Sequence, residues 1–290
     1  MSQCRVALSA WQVGRGNGVG AWAERLDRAV AEAAGAGARL LLLPEYAPLE
    51  AAAGDRPDLA AELRRGVAQA PDAVAVARAV AMRHGVWLVP GTLPFARDDG
   101  RIVNRAPLLA PDGRVAFQDK HVMTRFEAAD WGISAGNPPA VFETEFGRIG
   151  LAICFDAEFP TLVRAQVEAG AWLILVPSCT DTLAGYHRVR LACAARAMEN
   201  QCFVAMAPTI GVAPWCGTLD MNRGAAGAYG PVDRGFAEDG VVVQGALDAP
   251  GWVFADLDPA RLELVRREGA VRNHRSWPAP PPPCPVRVPS

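Results

Sequence analysis

Several absences narrow the chemistry open to this chain of 290 residues. It has only four histidines, His84, His121, His187 and His274, and no two stand at metal-ligand spacing. Its seven cysteines, Cys4, Cys154, Cys179, Cys193, Cys202, Cys216 and Cys284, include no Cys-x-x-Cys pair. Zinc sites are built from such clusters, so no metal is expected. An odd cysteine count also speaks against a disulfide framework and for reduced thiols, hence a cytoplasmic protein. No apolar run reaches 18 residues, so no membrane span is expected. The start, MSQCRVALSAWQV, enters a strand-like run directly and reads as no signal peptide. A net charge of -2 leaves no basic footprint for nucleic acid. No internal repeat stands out.

What is present is core. Apolar residues make up 51% of the chain, enough for one sizeable α/β domain and too many for a disordered one. Residues 6–13 read as a first strand and 19–34 as a helix stopped by Gly35 and Gly37. Residues 47–70 mix alanine with proline, glycine and charge, and read as a loop with a short helix. A better helix spans 72–84, with Asp72 as N-cap after Pro71. GVWLVPGT reads as a strand, and RIVNRAPLLA and GRVAFQ as a hairpin turned at PDG. Residues 121–136 look irregular. PPAVFET and GRIGLAIC form another antiparallel pair. Helix and strand then alternate to a last helix at 259–267. The boundary falls near residue 270, and residues 271–290 form a proline-rich tail that cannot pack as a regular element.

Three polar residues stand at or just beyond strand ends. Glu45 closes RLLLLPE, Lys120 follows GRVAFQD, and Cys154 ends IGLAIC before Pro160 opens a helix. The C-terminal edge of an open α/β sheet is where ligands bind. A cysteine on a tight strand-to-helix turn can aim its sulfur into a cleft, with backbone N–H groups nearby for an oxyanion. Alone, each residue has a plainer reading: a buried structural thiol, a solvated carboxylate, a surface lysine.

Together, the segments LLLPE, DKHVMTRFE and GLAICFDAEFP resemble, in order and rough spacing, the nitrilase superfamily of carbon–nitrogen hydrolases. The resemblance covers about residues 3 to 270. It implies a four-layer αββα sandwich, whose second sheet periodicity alone does not reveal. It implies Cys154 as nucleophile, Glu45 as general base, and Lys120 with the Phe155 backbone N–H as oxyanion partners. It also implies Glu127, seven residues after Lys120, as a second glutamate orienting base or substrate. Tyr46, Trp131, Thr180 and Asp181 are expected to contact substrate. Nitrilases usually carry Trp-Glu after the cysteine. This chain has Phe155-Asp156, more usual among amidases, although TRFE followed by Trp131-Gly132 resembles the nitrilase branch.

The expected function is therefore a cofactor-free thiol amidohydrolase acting on a small linear amide. The alternatives are a nitrilase or an N-carbamoyl-amine hydrolase with the same triad, and, in a different class, a non-catalytic scaffold that keeps the fold. A thioredoxin-like role is disfavoured, since Cys154 has no partner at the needed spacing. The resemblance also implies at least a homodimer, built on the helix after Pro160 and the helix at 185–200. Arg188, Arg190, Arg196 and Glu199 on the latter read either as carboxylate capture or as an ion-pair network.

Overall fold

The computed structural model describes residues 3–15, 18–54 and 57–278. Strand β1 (Cys4–Gln12) leads through helix α1 (Gly18–Gly35) to β2 (Leu40–Leu42). Helix α2 (Leu59–His84) precedes β3 (Trp87–Val89), β4 (Leu93–Ala96), β5 (Ile102–Leu109), β6 (Val115–Asp119), β7 (Val141–Thr144) and β8 (Gly147–Leu151). Helix α3 (Pro160–Glu168), β9 (Leu173–Ser178), helix α4 (Leu183–Asn200) and β10 (Phe203–Val212) follow. The chain closes with β11 (Met221–Asn222), β12 (Gly227–Tyr229), β13 (Val241–Gln244), β14 (Gly251–Leu257) and helix α5 (Pro259–Glu268).

The strands form two half-sheets. One contains β14, β1, β2, β3 and β5, with β4 and β6 both paired to β5. The other runs β7-β8-β9-β10-β12-β13. Among the described residues their strands pair where Trp11 and Gln12 of β1 meet Thr209 and Ile210 of β10. Strand alternation sorts the side chains into layers. Val6, Leu8, Leu40 and Leu42 point into a core shared with Leu151, Ile174 and Val204 of the other half-sheet. Ala7, Leu41 and Leu43 point the opposite way, onto Trp22, Leu26 and Val30 of α1 and Ala73 and Ala77 of α2. Val163 of α3 and Val189 and Cys193 of α4 cover the second half-sheet. The four-layer αββα sandwich is thus formed by two sheets face to face with helices outside.

Two local expectations need correction. Residues 59–84 form one helix, not a loop followed by a helix at Asp72. Its N-cap is Asp58, whose side chain accepts from the Ala61 N–H at 2.9 Å. A proline inside a helix costs about 3 kcal/mol. Here Pro71 lies on the exposed face, while Glu62, Gly66, Ala70, Ala73 and Ala77 form a buried stripe on the other. Burial of that stripe outweighs the proline. Strand β4 escaped notice because Pro94 masks it. It lies at the sheet edge, where a missing N–H is tolerated.

Beyond the expected boundary at 270, Arg164 of α3 stacks on Trp277 at 4.7 Å and donates to the His274 carbonyl. Residues 271–278 therefore lie against the body. The rest of the proline-rich tail, 279–290, lies outside the described residues. Among the described residues no helix is long and apolar enough to cross a membrane, and six cysteines are free.

Candidate active site

The elements deliver their chemistry to one cavity of about 390 Å³. Strand β2, buried on both faces, carries Glu45 three residues past its end. The hairpin β5-β6 carries Asn104 on one strand and Lys120 just after the other. Strand β8 ends at Leu151, and Cys154 opens a 3-10 turn, Cys154–Glu158, which leads into α3. Pro160 in the first turn of α3 fits a helix start, where its missing N–H is unneeded.

Cys154 sits at φ 48° and Tyr46 at φ 59°. The left-handed region is costly for residues with a Cβ. Two of the four non-glycine residues there among the described residues line this cavity. The Cys154 turn is held from outside by Asp156. Its carboxylate accepts from the Val122 N–H at 2.8 Å and the His121 N–H at 3.1 Å. The residue after Phe155 therefore ties the Cys154 turn to the segment following Lys120.

A buried charge cluster forms the cavity floor. Lys120 Nζ donates to Glu45 Oε1 at 2.8 Å and to Glu127 Oε2 at 2.6 Å. All three side chains are almost fully buried. Glu127 rides on a single π-helical turn, Phe126–Asp130, within the segment expected to be irregular. Such turns often occur at functional sites. Glu127 also accepts from the Tyr46 hydroxyl at 2.7 Å and from the Thr124 N–H and hydroxyl at 2.9 Å. The Cys154 thiol lies 3.5 Å from the Cys179 carbonyl and from the Ser178 hydroxyl, and faces the Glu45 carboxyl.

This packing sets the protonation states. Burial pushes the Glu45 carboxyl up to about 7, against the pull of Lys120. Burial, joined by the facing Glu45 carboxylate, also holds the Cys154 thiol well above its usual range. Burial opposes the charge on Lys120, but Glu45 and Glu127 outweigh it and hold the ammonium well above its ordinary value. Burial opposes ionisation of Glu127 too. Lys120 and the Tyr46 and Thr124 donors overcome it and keep that carboxyl below its usual range. The cluster therefore pairs a fixed cation and a fixed anion with one carboxyl poised near neutrality, beside a protonated thiol.

The structure thus brings together Glu45, Lys120, Glu127, Cys154 and Phe155. Thr180 and Asp181 line the same cavity, although the Thr180 hydroxyl is engaged with the Arg223 carbonyl at 2.9 Å. Tyr46 lines it as well, with its hydroxyl on Glu127. Trp131 does not reach the cavity. It is buried behind Tyr46, edge-on at 5.3 Å, and donates to the Leu59 carbonyl. Arg188 is at the rim, paired with Glu158 at 2.9 Å, whereas Arg196 pairs with Glu199 on its own helix. Asn104 had not been singled out. Fully buried on β5, its Nδ2 donates to Glu45 Oε1 at 2.9 Å and to Glu127 Oε1 at 3.1 Å.

The sequence profile of the carbon–nitrogen hydrolases matches residues 19–267. The chain belongs to the carbon–nitrogen hydrolase family. This places it in the nitrilase superfamily. A relative from Bacillus subtilis, a probable hydrolase YhcX, is 37% identical over 194 residues, which are 67% of this chain and 38% of that protein. This hydrolase thus spans about two fifths of that relative's length. The zebrafish (Danio rerio) omega-amidase NIT2 is 26% identical over 87% of this chain and 89% of its own. The solved amidase from Nesterenkonia sp. AN1 superposes with a TM-score of 0.71 at 27% identity, covering 94% of this chain and 99% of that one. In that structure acrylamide is bonded to the active-site cysteine.

Proposed function

We propose that this hydrolase is a thiol amidase that cleaves a small linear amide through a thioester on Cys154. The observation that carries the reading is the Glu45–Lys120 pair at 2.8 Å beside a thiol held on a left-handed strand-end turn. In this mechanism the Cys154 sulfur attacks the amide carbon while its proton passes to Glu45. Lys120 and the Phe155 backbone N–H stabilise the oxyanion. As the C–N bond breaks, Glu45 gives its proton to the departing nitrogen. Glu45 then takes a proton from water, hydroxide attacks the thioester, and the acid leaves as the thiol regains its proton. Glu127 and Asn104 keep Lys120 and Glu45 in place. The amidase names of two relatives and the Phe155-Asp156 pair favour an amide over a nitrile or a carbamoyl-amine.

The test is ammonia release from amides, nitriles and carbamoyl compounds, with Cys154→Ala as blank and pH varied. Amides should be the best substrates. Glu45 must be ionised to accept the thiol proton, so kcat/KM should fall as pH drops through about 7. Cys154 and Lys120 titrate well above their ordinary values, so activity should hold on the alkaline side. Faster turnover of nitriles, or a flat profile from pH 5.5 to 8, would overturn the assignment.

The same reading includes self-association, with a second copy of the chain as partner. On α4 the residues Leu191, Ala195 and Met198 recur at helical spacing, and Leu191 and Met198 are 61% and 38% exposed. On α3, Val163 and Val167 are buried in the core, so that helix offers mainly Leu162 and Ala165. Light scattering should give at least twice the chain mass of 30.7 kDa. An active species at the single-chain mass refutes this part.

A further inference from the structure

One wall of the cavity is the tip of the β10-β11 hairpin. Ala213 N–H donates to the Asp220 carbonyl at 2.8 Å, closing an eight-residue tip, 213–220. Gly217, Thr218 and Asp220 of that tip, with Met221 beside it, line the cavity. Strand pairing does not explain why the tip keeps this shape, since β11 contributes only two residues.

A carboxylate outside the catalytic cluster does. Glu62, in the first turn of α2, is fully buried. Its Oε1 accepts from the Gly217 N–H at 2.8 Å and the Asp58 N–H at 3.3 Å. Its Oε2 accepts from the Thr218 N–H at 3.0 Å, the Thr218 hydroxyl at 2.9 Å and the Cys216 thiol at 3.6 Å. Four of these five donors belong to the hairpin tip. A buried carboxylate so supplied is held firmly, and hydrogen bonds to a charged group are the strong ones. The start of a helix also favours negative charge. The tip packs closely on the same helix start: a Cβ on Gly217 would come within 3.2 Å of Leu59. The tip wraps around one charged side chain of α2 and turns its other side to the cavity.

We propose that Glu62 is the positioning residue that fixes the hairpin tip as a rigid wall and so sets which amides fit the cavity. This rests on the reading of the cavity as an amide site, but the clamp itself can be measured without turnover. Glu62 touches neither the substrate cavity nor the Glu45–Lys120–Cys154 group, so its effect should reach binding and leave the chemical step nearly unchanged. Loss of the charge in Glu62→Gln, which also turns an amide N–H₂ toward N–H donors, should free the tip.

Hydrogen exchange in the wild-type protein should find the Gly217 and Thr218 amides as protected as those of β9. In Glu62→Gln they should exchange roughly thirtyfold faster, the loss of one or two charge-assisted bonds, with β8 and β9 unchanged. For the best short amide KM should rise about tenfold while kcat stays within about threefold. Preference for short over long amides should shrink, and Glu62→Asp, which keeps the charge, should recover part of each change. Unprotected amides at 217 and 218 in the wild-type protein refute the clamp whether or not the variant folds. Accelerated exchange with unchanged KM and unchanged chain-length preference refutes the link to selectivity. If no amide is turned over by the wild type, the exchange data still decide the clamp, and only the amidase reading fails.

Discussion

Cys154→Ser should release ammonia at a rate lower than wild type by about 10⁴-fold or more, while melting at nearly the same temperature. Loss of a nucleophile that works as a unit with its base removes most of the rate enhancement. The reason is a mismatch of acidities. Burial raises Glu45 to about 7, and a serine hydroxyl is intrinsically a far weaker acid than a thiol, so the same base is much less able to take its proton. The turn itself should survive. It is held by Asp156 on the His121 and Val122 amides, which a Ser side chain does not touch. A hydroxyl at 154 can bond the Cys179 carbonyl or Ser178, which the sulfur already approaches at 3.5 Å. The stability change should therefore stay within about 1 kcal/mol. Ammonia release and thermal melting on the same preparation decide it. A folded Ser variant keeping more than a hundredth of wild-type turnover would remove Cys154 from the nucleophile role.

Two residues of the site stood out by local pattern, because each closes an apolar run. Glu45 follows four leucines and a proline, and Cys154 ends IGLAIC, which marks both positions although each alone keeps a plainer reading. Lys120 and Glu127 needed the ordered set of motifs, because either residue alone is common on surfaces. Asn104 was not legible. It is the third residue of IVNRAPLL, and only the folded chain reveals that its amide donates to two glutamates. Glu62 was hidden differently, since the loop assigned to 47–70 concealed the helix start that carries it. Trp131, expected to contact substrate, packs one layer behind Tyr46 instead, because an aromatic residue reads the same in sequence whether it forms a wall or the packing behind it. The second sheet was out of reach for a general reason. Runs such as AWLILVPS are apolar on both faces, so period-2 patterning cannot say which face meets helices and which meets another sheet.

Lys120→Met should damage both turnover and stability, and the stability loss should depend on pH. The ammonium lies between Glu45 and Glu127, and the Asn104 amide bridges the same two carboxylates. Without Lys120, two buried carboxylates share one neutral donor. Removing one partner from a buried ionic group typically costs about 3–5 kcal/mol. The strain is relieved if a carboxyl takes up a proton, and Glu45, already raised to about 7 by burial, is the group that should do so. A carboxyl whose folded-state pKa is raised binds more protons folded than unfolded. Folding stability therefore falls as pH rises from the unfolded value near 4.5 through the folded one. The melting temperature of Lys120→Met should then lie further below wild type at pH 8 than at pH 5.5. Turnover should fall by at least about 10³-fold, since the base is protonated and the oxyanion loses its cation. Melting curves at the two pH values, with ammonia release at pH 8, test both halves. A deficit equal at both pH values, or turnover within tenfold of wild type, would mean that Lys120 neither holds Glu45 ionised nor serves the oxyanion.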